Sequence, residues 1–249
     1  MRIALLLSFF PILATAQTLV HPPPLIRLTQ TPSAGFDLPA HRGDAAAGIL
    51  LIGMTAITGS VDTWELETHS SFAGLEQFDN DLLTLRPGEK TRGDQSRTLI
   101  AFHRQWWSYR PGEALEALRK ARYMQVSIYR IASGSEMEFA ELLRARKAAL
   151  DSINIDRPDM VYQVISGAPS GTFLVFSPLV SLKLLDDGVN RSAAAYLRST
   201  GSPSARASNN AALQSEISHE NLIFRIDPRI SSVSSEFAGS DPDFWKPKK

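Results

Sequence analysis

The chain has 249 residues, of which 43% are hydrophobic and 21% charged, so it can bury one large core or two smaller ones. Its 26 basic and 26 acidic residues are interspersed, which excludes the basic surface of a protein that binds nucleic acid or an anionic membrane. Cysteine is absent, so disulfides, thiol chemistry and cysteine metal sites are also excluded.

The first residues have the three parts of a secretory signal peptide. Arg2 precedes an apolar run over 3–13, and the small residues Ala14-Thr15-Ala16 stand directly before a cleavage point at Gln17. The apolar run is shorter than the ~20 residues that a membrane-spanning helix needs. We therefore expect residues 1–16 to be removed and the mature protein to be soluble, either periplasmic or secreted, with no membrane contact.

Hydrophobic periodicity and turn residues predict the elements of the first half. In chain order these are a strand at 25–30, a short helix at 37–48, strands at 49–59 and 63–69, a helix capped by Ser70 or Ser71, a polar loop at 86–96 and a strand at 98–107. A linker helix at 111–122 follows, with Pro111 at its start. The first half therefore has the order strand, helix, strand, strand, helix, strand.

The second half is predicted to repeat this order. Its elements are a strand at 123–131, a helix opened by a capping box of Ser135 and Glu138 and running to about 154, strands at 160–167 and 172–178, a helix beginning near 181, a surface insertion at 190–215 and a strand at 220–226. We expect the last residues, 237–249, to form an irregular tail.

An internal repeat relates the two halves. ITGSVDTWELETHSSFAGLEQFD (57–79) aligns with ISGAPSGTFLVFSPLVSLKLLDD (165–187), so that Ile57 and Gly59 match Ile165 and Gly167, and Thr63-Trp64 match Thr172-Phe173. The order of elements is that of a ferredoxin-like βαββαβ unit. We therefore predict an α+β fold of two tandem units, 17–110 and 123–236, which pack sheet to sheet as an intrachain α/β barrel. Two independent domains on a tether are the alternative.

The stretches YMQVSIYRIASGSEMEFAELLRARKAAL and MVYQVISGAPSGTFLVFSPLVSL, with the weaker first copy, resemble the dimeric α/β-barrel superfamily. That superfamily includes the antibiotic-biosynthesis monooxygenases and the EthD, Dabb-like and NIPSNAP proteins. The resemblance implies a barrel of two ferredoxin-like units with a cavity for a small aromatic or polyketide-like molecule. No catalytic residue of the superfamily matches this chain position by position, and the helix-borne histidine of its haem-degrading members has no counterpart in His69 or His103.

Three polar residues alternate along the strand TWELETH. Glu65, Glu67 and His69 share one face, and Trp64 and Leu66 share the other. We expect the polar face to line the space between the two sheets and the apolar face to pack on a helix. Carboxylates and imidazole suit a metal ion, but a fourth ligand is missing, so we predict a ligand-contacting face without metal or other cofactor.

Other candidate site residues are histidines and aromatics near strand ends. His103 could act as a general base, as could His69, although a structural role is the commoner one for a histidine beside packed aromatics. Trp106 and Trp107 are predicted on a strand and therefore on opposite faces. Tyr129 and Tyr162 could each offer a hydroxyl to a ligand. Together with Glu65, Glu67 and His69, the residues Trp106, Tyr129 and Tyr162 form the predicted ligand-binding set.

Three functions remain open at the level of sequence. The first is an exported protein that binds a small apolar or aromatic molecule between its sheets. The second is a cofactor-free monooxygenase or isomerase with His69 or His103 as base, and the third is a non-catalytic assembly module, with oligomerisation left open. No nucleotide-binding, HExxH, EF-hand or serine-hydrolase motif occurs in the sequence.

Overall fold

The structure is a computed structural model that describes residues 21–32, 50–60, 62–85, 96–152, 157–186 and 216–246. Its strands are β1 (Leu25–Pro32), β2 (Leu51–Ala56), β3 (Asp62–His69), β4 (Arg97–His103), β5 (Tyr123–Ile131), β6 (Met160–Ser166), β7 (Thr172–Leu179) and β8 (Glu216–Ile226). Its helices include α1 (Phe72–Leu85), α2 (Pro111–Lys120), α3 (Glu136–Ser152), α4 (Ser235–Gly239) and α5 (Pro242–Trp245). The predicted signal peptide, the helix at 37–48, nearly all of the polar loop and the insertion at 190–215 lie outside the described residues.

The eight strands named above close into one antiparallel barrel in the order β1-β3-β2-β8-β5-β7-β6-β4. Within the first half, neighbouring strands follow the order β4-β1-β3-β2. Within the second half, they follow the equivalent order β8-β5-β7-β6. The halves join edge to edge, through β2 with β8 and β4 with β6. Closure pairs the backbone groups that open sheet edges would expose. The predicted α+β barrel is confirmed, and hydrogen bonds between the halves make its eight strands one closed sheet.

The inside of the barrel is apolar. Alternate residues of the strands supply this core, among them Ile26, Leu28, Ile52, Met54, Trp64, Leu66, Leu99, Ala101, Met124, Val126, Ile128, Met160, Tyr162, Leu174, Phe176 and Phe224. Large rings fill the centre, and the centroids of Trp64 and Phe224 lie 4.4 Å apart. A closed barrel excludes water from its interior more completely than helices exclude it from the outer wall, so the inward-facing side chains are mostly apolar.

One end of the barrel is capped by helices. Leu115 and Leu118 of α2 belong to the interior core, together with Phe237 of α4 and Trp245 of α5. The indole Nε1 of Trp245 donates to the Arg119 carbonyl oxygen over 2.7 Å and joins α5 to α2. The segment after β8, predicted to become an irregular tail, thus contains two short helices that bury aromatics. Within the described ranges, no helix is long and apolar enough to cross a membrane.

Two aligned glycines end the second strand of each half in the same conformation. Gly59 has φ 83° and Gly167 has φ 86°, a left-handed conformation that side chains with a Cβ rarely adopt. A Cβ on Gly167 would also lie 2.2 Å from the Thr98 carbonyl oxygen. The repeated Ile-x-Gly therefore marks two hairpins in which the backbone conformation requires glycine.

Candidate ligand site beneath α1

The polar residues of β3 point out of the barrel, not into it. Trp64 and Leu66 belong to the interior core, whereas Glu67 and His69 lie on the outer wall beside residues of α1. The expected orientation of TWELETH is therefore wrong. Alternation groups Glu65, Glu67 and His69 correctly, but a barrel directs its apolar set inward, and the polar set faces the helix layer.

A buried arginine organises this outer wall. Arg27 of β1 pairs in register with Glu67 of β3, and Arg27 Nη2 and Nε both lie 2.5 Å from Glu67 Oε2. Its Nη1 also contacts Asp79 of α1. Burial acts to lower the pKa of Arg27, but Glu67 and Asp79 outweigh burial and raise that pKa above its ordinary value. The guanidinium is therefore a fixed positive charge between sheet and helix.

His69 lies beside this ion pair at the end of β3. The residue is 4% exposed, and its Nε2 is 3.6 Å from Glu67 Oε2, which is beyond hydrogen-bond length. Among the described residues, this buried Nε2 has no hydrogen-bond partner. The imidazole meets the edge of the Phe78 ring at 5.7 Å, and Arg27 lies over the same ring at 5.4 Å. The ring that carries this unpartnered nitrogen therefore contacts an aromatic side chain.

Beneath α3, the outer wall of the second half is apolar. Leu25 pairs with His69 in the first half as Tyr123 pairs with Leu179 in the second, so Leu179 stands where His69 does. The face under α3 is filled by a second hydrophobic cluster of Ile131, Phe139, Leu143, Val161, Phe173 and Val175. The structural register also shows that the sequence alignment of Trp64 with Phe173 is displaced by one residue, since Trp64 lies inside the barrel and Phe173 outside.

His103, unlike His69, has a hydrogen-bond partner for its Nε2. Its Nε2 is 3.1 Å from Ser108 Oγ, which donates to the Arg104 carbonyl oxygen and accepts from the Val161 N–H. A hydroxyl has one donor, so Nε2 carries a proton and donates it to Oγ. Burial lowers the pKa of His103 to about 4. The ring therefore fastens the turn after β4 in its uncharged form.

The two tryptophans follow the end of a strand. β4 ends at His103, and residues 104–110 form turns, so the predicted strand to 107 is too long. Trp106 is 86% exposed. Trp107 packs on Phe139 at 6.0 Å and on Phe173 at 5.1 Å. The pair does point in different directions, but because of the turn and not because of strand alternation.

The two tyrosines of the predicted set are not part of the cluster around His69. Tyr129 is on the outer wall of the second half, stacked on His219 at 4.1 Å and tilted against Phe139. Tyr162 is inside the barrel, where its hydroxyl donates to the Pro23 carbonyl oxygen over 3.1 Å and burial raises its pKa. The hydroxyl of Tyr162 is therefore already used by the backbone.

The described interior of the barrel is packed. At the end covered by α2, a small apolar cavity is lined by Pro23, Leu50, Ile52, Leu66, Thr68, Leu115, Leu118, Met124, Met160, Tyr162 and Phe176. It leaves about 20 Å³ for the centre of a water molecule, which is enough for a water-sized guest and far too little for an aromatic ring. The described side chains also contain no group of three or more histidines and carboxylates arranged for a metal ion.

Sequence reasoning missed three residues of the outer wall. Arg27 carried a signal, because it alternates with the apolar residues of LIRLTQ and must share a face with Thr29. Asp79 and Phe78 carried none, since only the packing of α1 on the sheet brings them to Arg27. Half-buried Glu65 lies on the same face of β3, opposite Thr29 in register.

No protein-family model and no curated protein matches the sequence. Among solved structures, a candidate monooxygenase from Lactobacillus acidophilus NCFM superposes with a TM-score of 0.50 at 10% identity, covering 85% of this chain and 96% of that one. An anthrone oxidase-like protein gives 0.49 at 11% identity, covering 82% and 91%. A mutant chlorite dismutase from Candidatus Nitrospira defluvii gives 0.48 at 9%, covering 89% and 97%. The first likeness shows that the chain has the fold of a ferredoxin-like α/β barrel.

Proposed function

We propose that the protein binds a small molecule on the outer wall of β1 and β3, beneath α1, with His69 as the residue that recognises it. The observation that carries this proposal is the buried His69 Nε2, which has no hydrogen-bond partner in the described part of the chain. Leaving such an atom unsatisfied costs about 1–3 kcal/mol, and native proteins rarely leave it so. A ligand that hydrogen-bonds to Nε2 removes this cost.

The surroundings of His69 define the ligand's chemistry. Phe78 contacts both His69 and Arg27, and an aromatic neighbour favours a flat apolar body. Arg27 is already engaged by Glu67 and Asp79, so the cluster does not offer a free positive charge to an anion. A neutral aromatic molecule with one hydroxyl or carbonyl, placed against His69, fits these constraints. This is the aromatic class expected from the sequence, at a different place in the barrel.

Proton transfer at the same residue is the second candidate function. His69 Nε2 and Glu67 Oε2 are 3.6 Å apart, and an imidazole beside a carboxylate can take a proton from a phenol and keep the resulting charge stabilised. Deprotonation of an aromatic hydroxyl is a step that such a base can perform without a cofactor. In this function His69 is the base, Glu67 stabilises the imidazolium, and Arg27 holds Glu67 in place.

Native mass spectrometry of the protein purified from its own host tests the binding proposal. The wild type should retain a small organic molecule, and His69→Leu, which installs the residue found at the corresponding place in the second half, should lose it. His219→Leu changes an exposed histidine of the same barrel and should retain the molecule. Equal retention in His69→Leu and wild type, or no bound mass in the wild type, contradicts the proposal.

We further propose that the two halves are tandem ferredoxin-like units and that the chain is exported. The shared strand order and the matching glycine turns support the first statement. The charged start, apolar run and small residues before Gln17 support the second. N-terminal sequencing of the protein from its host should begin at Gln17, and an intact Met1 would contradict export by cleavage.

A further inference from the structure

A second polar feature lies on the outer wall of the other half, just before β6. Arg157 extends its guanidinium toward β5, where Nη2 donates to Gln125 Oε1 over 2.5 Å. Within the part of the chain that the structure describes, this amide oxygen is its one hydrogen-bond acceptor, and Arg157 makes no ion pair there. A neutral amide balances no charge, so none of the described carboxylates pairs with the positive charge of Arg157.

Asp159, two residues further along the chain, has both carboxylate oxygens occupied. Asp159 is completely buried, and its Oδ2 lies 2.5 Å from Arg146 Nη1. Its Oδ1 accepts the backbone N–H of Tyr109 over 2.9 Å. Both oxygens of Asp159 therefore have partners other than Arg157. Among the described side chains, the region thus has two guanidinium groups, and its one described carboxylate pairs with Arg146.

The direction of the pKa shift of Arg157 agrees with the absence of a carboxylate partner among the described residues. Burial, followed by the charge of Arg146, lowers the pKa of Arg157 below its ordinary value, and Asp159 offsets the two only in part. Arginine bound to a carboxylate shows the opposite direction, as Arg146 does beside Asp159. Within the described ranges, Asp159 is the one negative charge that acts on Arg157, and Asp159 is already paired with Arg146.

The surroundings can accommodate a ligand from solvent. The side chain of Arg146 is 33% exposed, and Arg157 is itself only partly buried, so the pair can be reached from outside. Ser177 of β7 is the register partner of Gln125 and places its hydroxyl on the same outer face. Two guanidinium groups, an amide and a hydroxyl supply donors in several directions, which is the donor set that oxygen-rich anions prefer.

We propose that this wall is a binding site for a small oxyanion, held by Arg157 and Arg146 with Gln125 and Ser177 beside it. The anion pairs with the guanidinium of Arg157, through the paired N–H groups that a guanidinium presents to phosphate or carboxylate. The site is on the opposite half of the barrel from the cluster around His69, so anion binding here does not depend on the proposed function of His69.

Thermal unfolding in inorganic phosphate tests the site. With ionic strength held constant by sodium chloride, the wild-type Tm should rise with phosphate, by about 5 °C or more once phosphate exceeds its Kd a hundredfold. Sodium succinate in place of phosphate distinguishes a carboxylate ligand from a phosphate. A rise with either anion supports an oxyanion site, and a Tm that follows ionic strength alone overturns it.

Variants locate the effect. Arg157→Gln should abolish the rise in Tm, while Arg144→Gln, which removes an exposed arginine of α3 paired with Glu141, should leave it unchanged. Arg157→Lys keeps the charge but not the paired donors and should weaken phosphate binding at least threefold, which covers the case in which the glutamine variant folds poorly. An unchanged phosphate response in both Arg157 variants assigns the anion elsewhere and refutes the proposal.

Discussion

Glu67 and Asp79 carry the same charge and contact the same arginine, but they differ in burial. Glu67 is 4% exposed, whereas the side chain of Asp79 is 51% exposed. Replacing each by its amide, Glu67→Gln and Asp79→Asn, removes one negative charge with almost no change in shape. The two substitutions therefore measure how much the low-dielectric wall beneath α1 contributes to the ion pair.

The expected costs differ severalfold. Removing one partner of a buried pair typically costs about 3–5 kcal/mol, because a buried charge is left uncompensated. Asp79 still contacts Arg27 in Glu67→Gln, so we expect a loss near the lower limit, about 3 kcal/mol. An ion pair with a solvent-exposed partner contributes only about 0–1 kcal/mol, and this is the loss expected for Asp79→Asn.

Urea unfolding at pH 7, followed by far-ultraviolet circular dichroism, measures both losses as differences in the free energy of unfolding. The m-values should agree among the three proteins, so that the comparison reflects the folded state. Raising sodium chloride to 1 M should change the cost of Asp79→Asn more than that of Glu67→Gln, because exposed charges are screened more strongly. Equal losses for the two variants would refute the picture of a buried Arg27–Glu67 pair.

Three further predictions concern other parts of the barrel. Burial lowers the pKa of His103 from 6.5 in the unfolded chain to about 4 in the folded protein, so stability is fully present above pH 6.5 and is lost as the pH falls toward 4. His103→Gln retains a donor to Ser108 Oγ but does not titrate. Between pH 7 and pH 4.5, urea titrations should therefore show a fall in the free energy of unfolding that is about 1–2 kcal/mol smaller for this variant than for the wild type. Gly167→Ala should lower the free energy of unfolding by more than 2 kcal/mol, since the new Cβ meets the Thr98 carbonyl oxygen; a neutral effect would contradict the hairpin geometry. Trp245→Phe should remove the hydrogen bond to Arg119 and cost about 1 kcal/mol in the same assay, whereas Trp106→Phe at the exposed turn should cost less than 0.5 kcal/mol.

The arrangement of elements could be predicted from the sequence, because strand alternation and turn residues are local signals. The spacing of Glu65, Glu67 and His69 placed them on one face of one strand, and the structure agrees. Which face it was could not be predicted in the same way. Alternation is symmetric, and the side is decided by barrel closure, which depends on the pairing of β2 with β8 and of β4 with β6.

Boundaries and distant partners were the other failures. Trp106 and Trp107 are hydrophobic, so hydrophobicity alone predicted that β4 continues beyond His103. In the structure β4 ends at His103, and a hydrogen bond between His103 and Ser108 closes the turn that follows. Asp79 reaches Arg27 only through the packing of α1 on the sheet, a contact between residues 52 positions apart. The aromatics of α4 and α5 had no periodic pattern to predict helices, and their burial comes from contact with α2.

Contact between His69 Nε2 and a small molecule beneath α1 can be seen in a crystal structure of the protein purified from its host, at a resolution that distinguishes water from an organic ligand. We expect non-protein density within about 3 Å of Nε2, lying against the Phe78 ring. A single water, or a side chain from residues 33–49 or 86–95 donating to or accepting from Nε2 in place of a ligand, would contradict it.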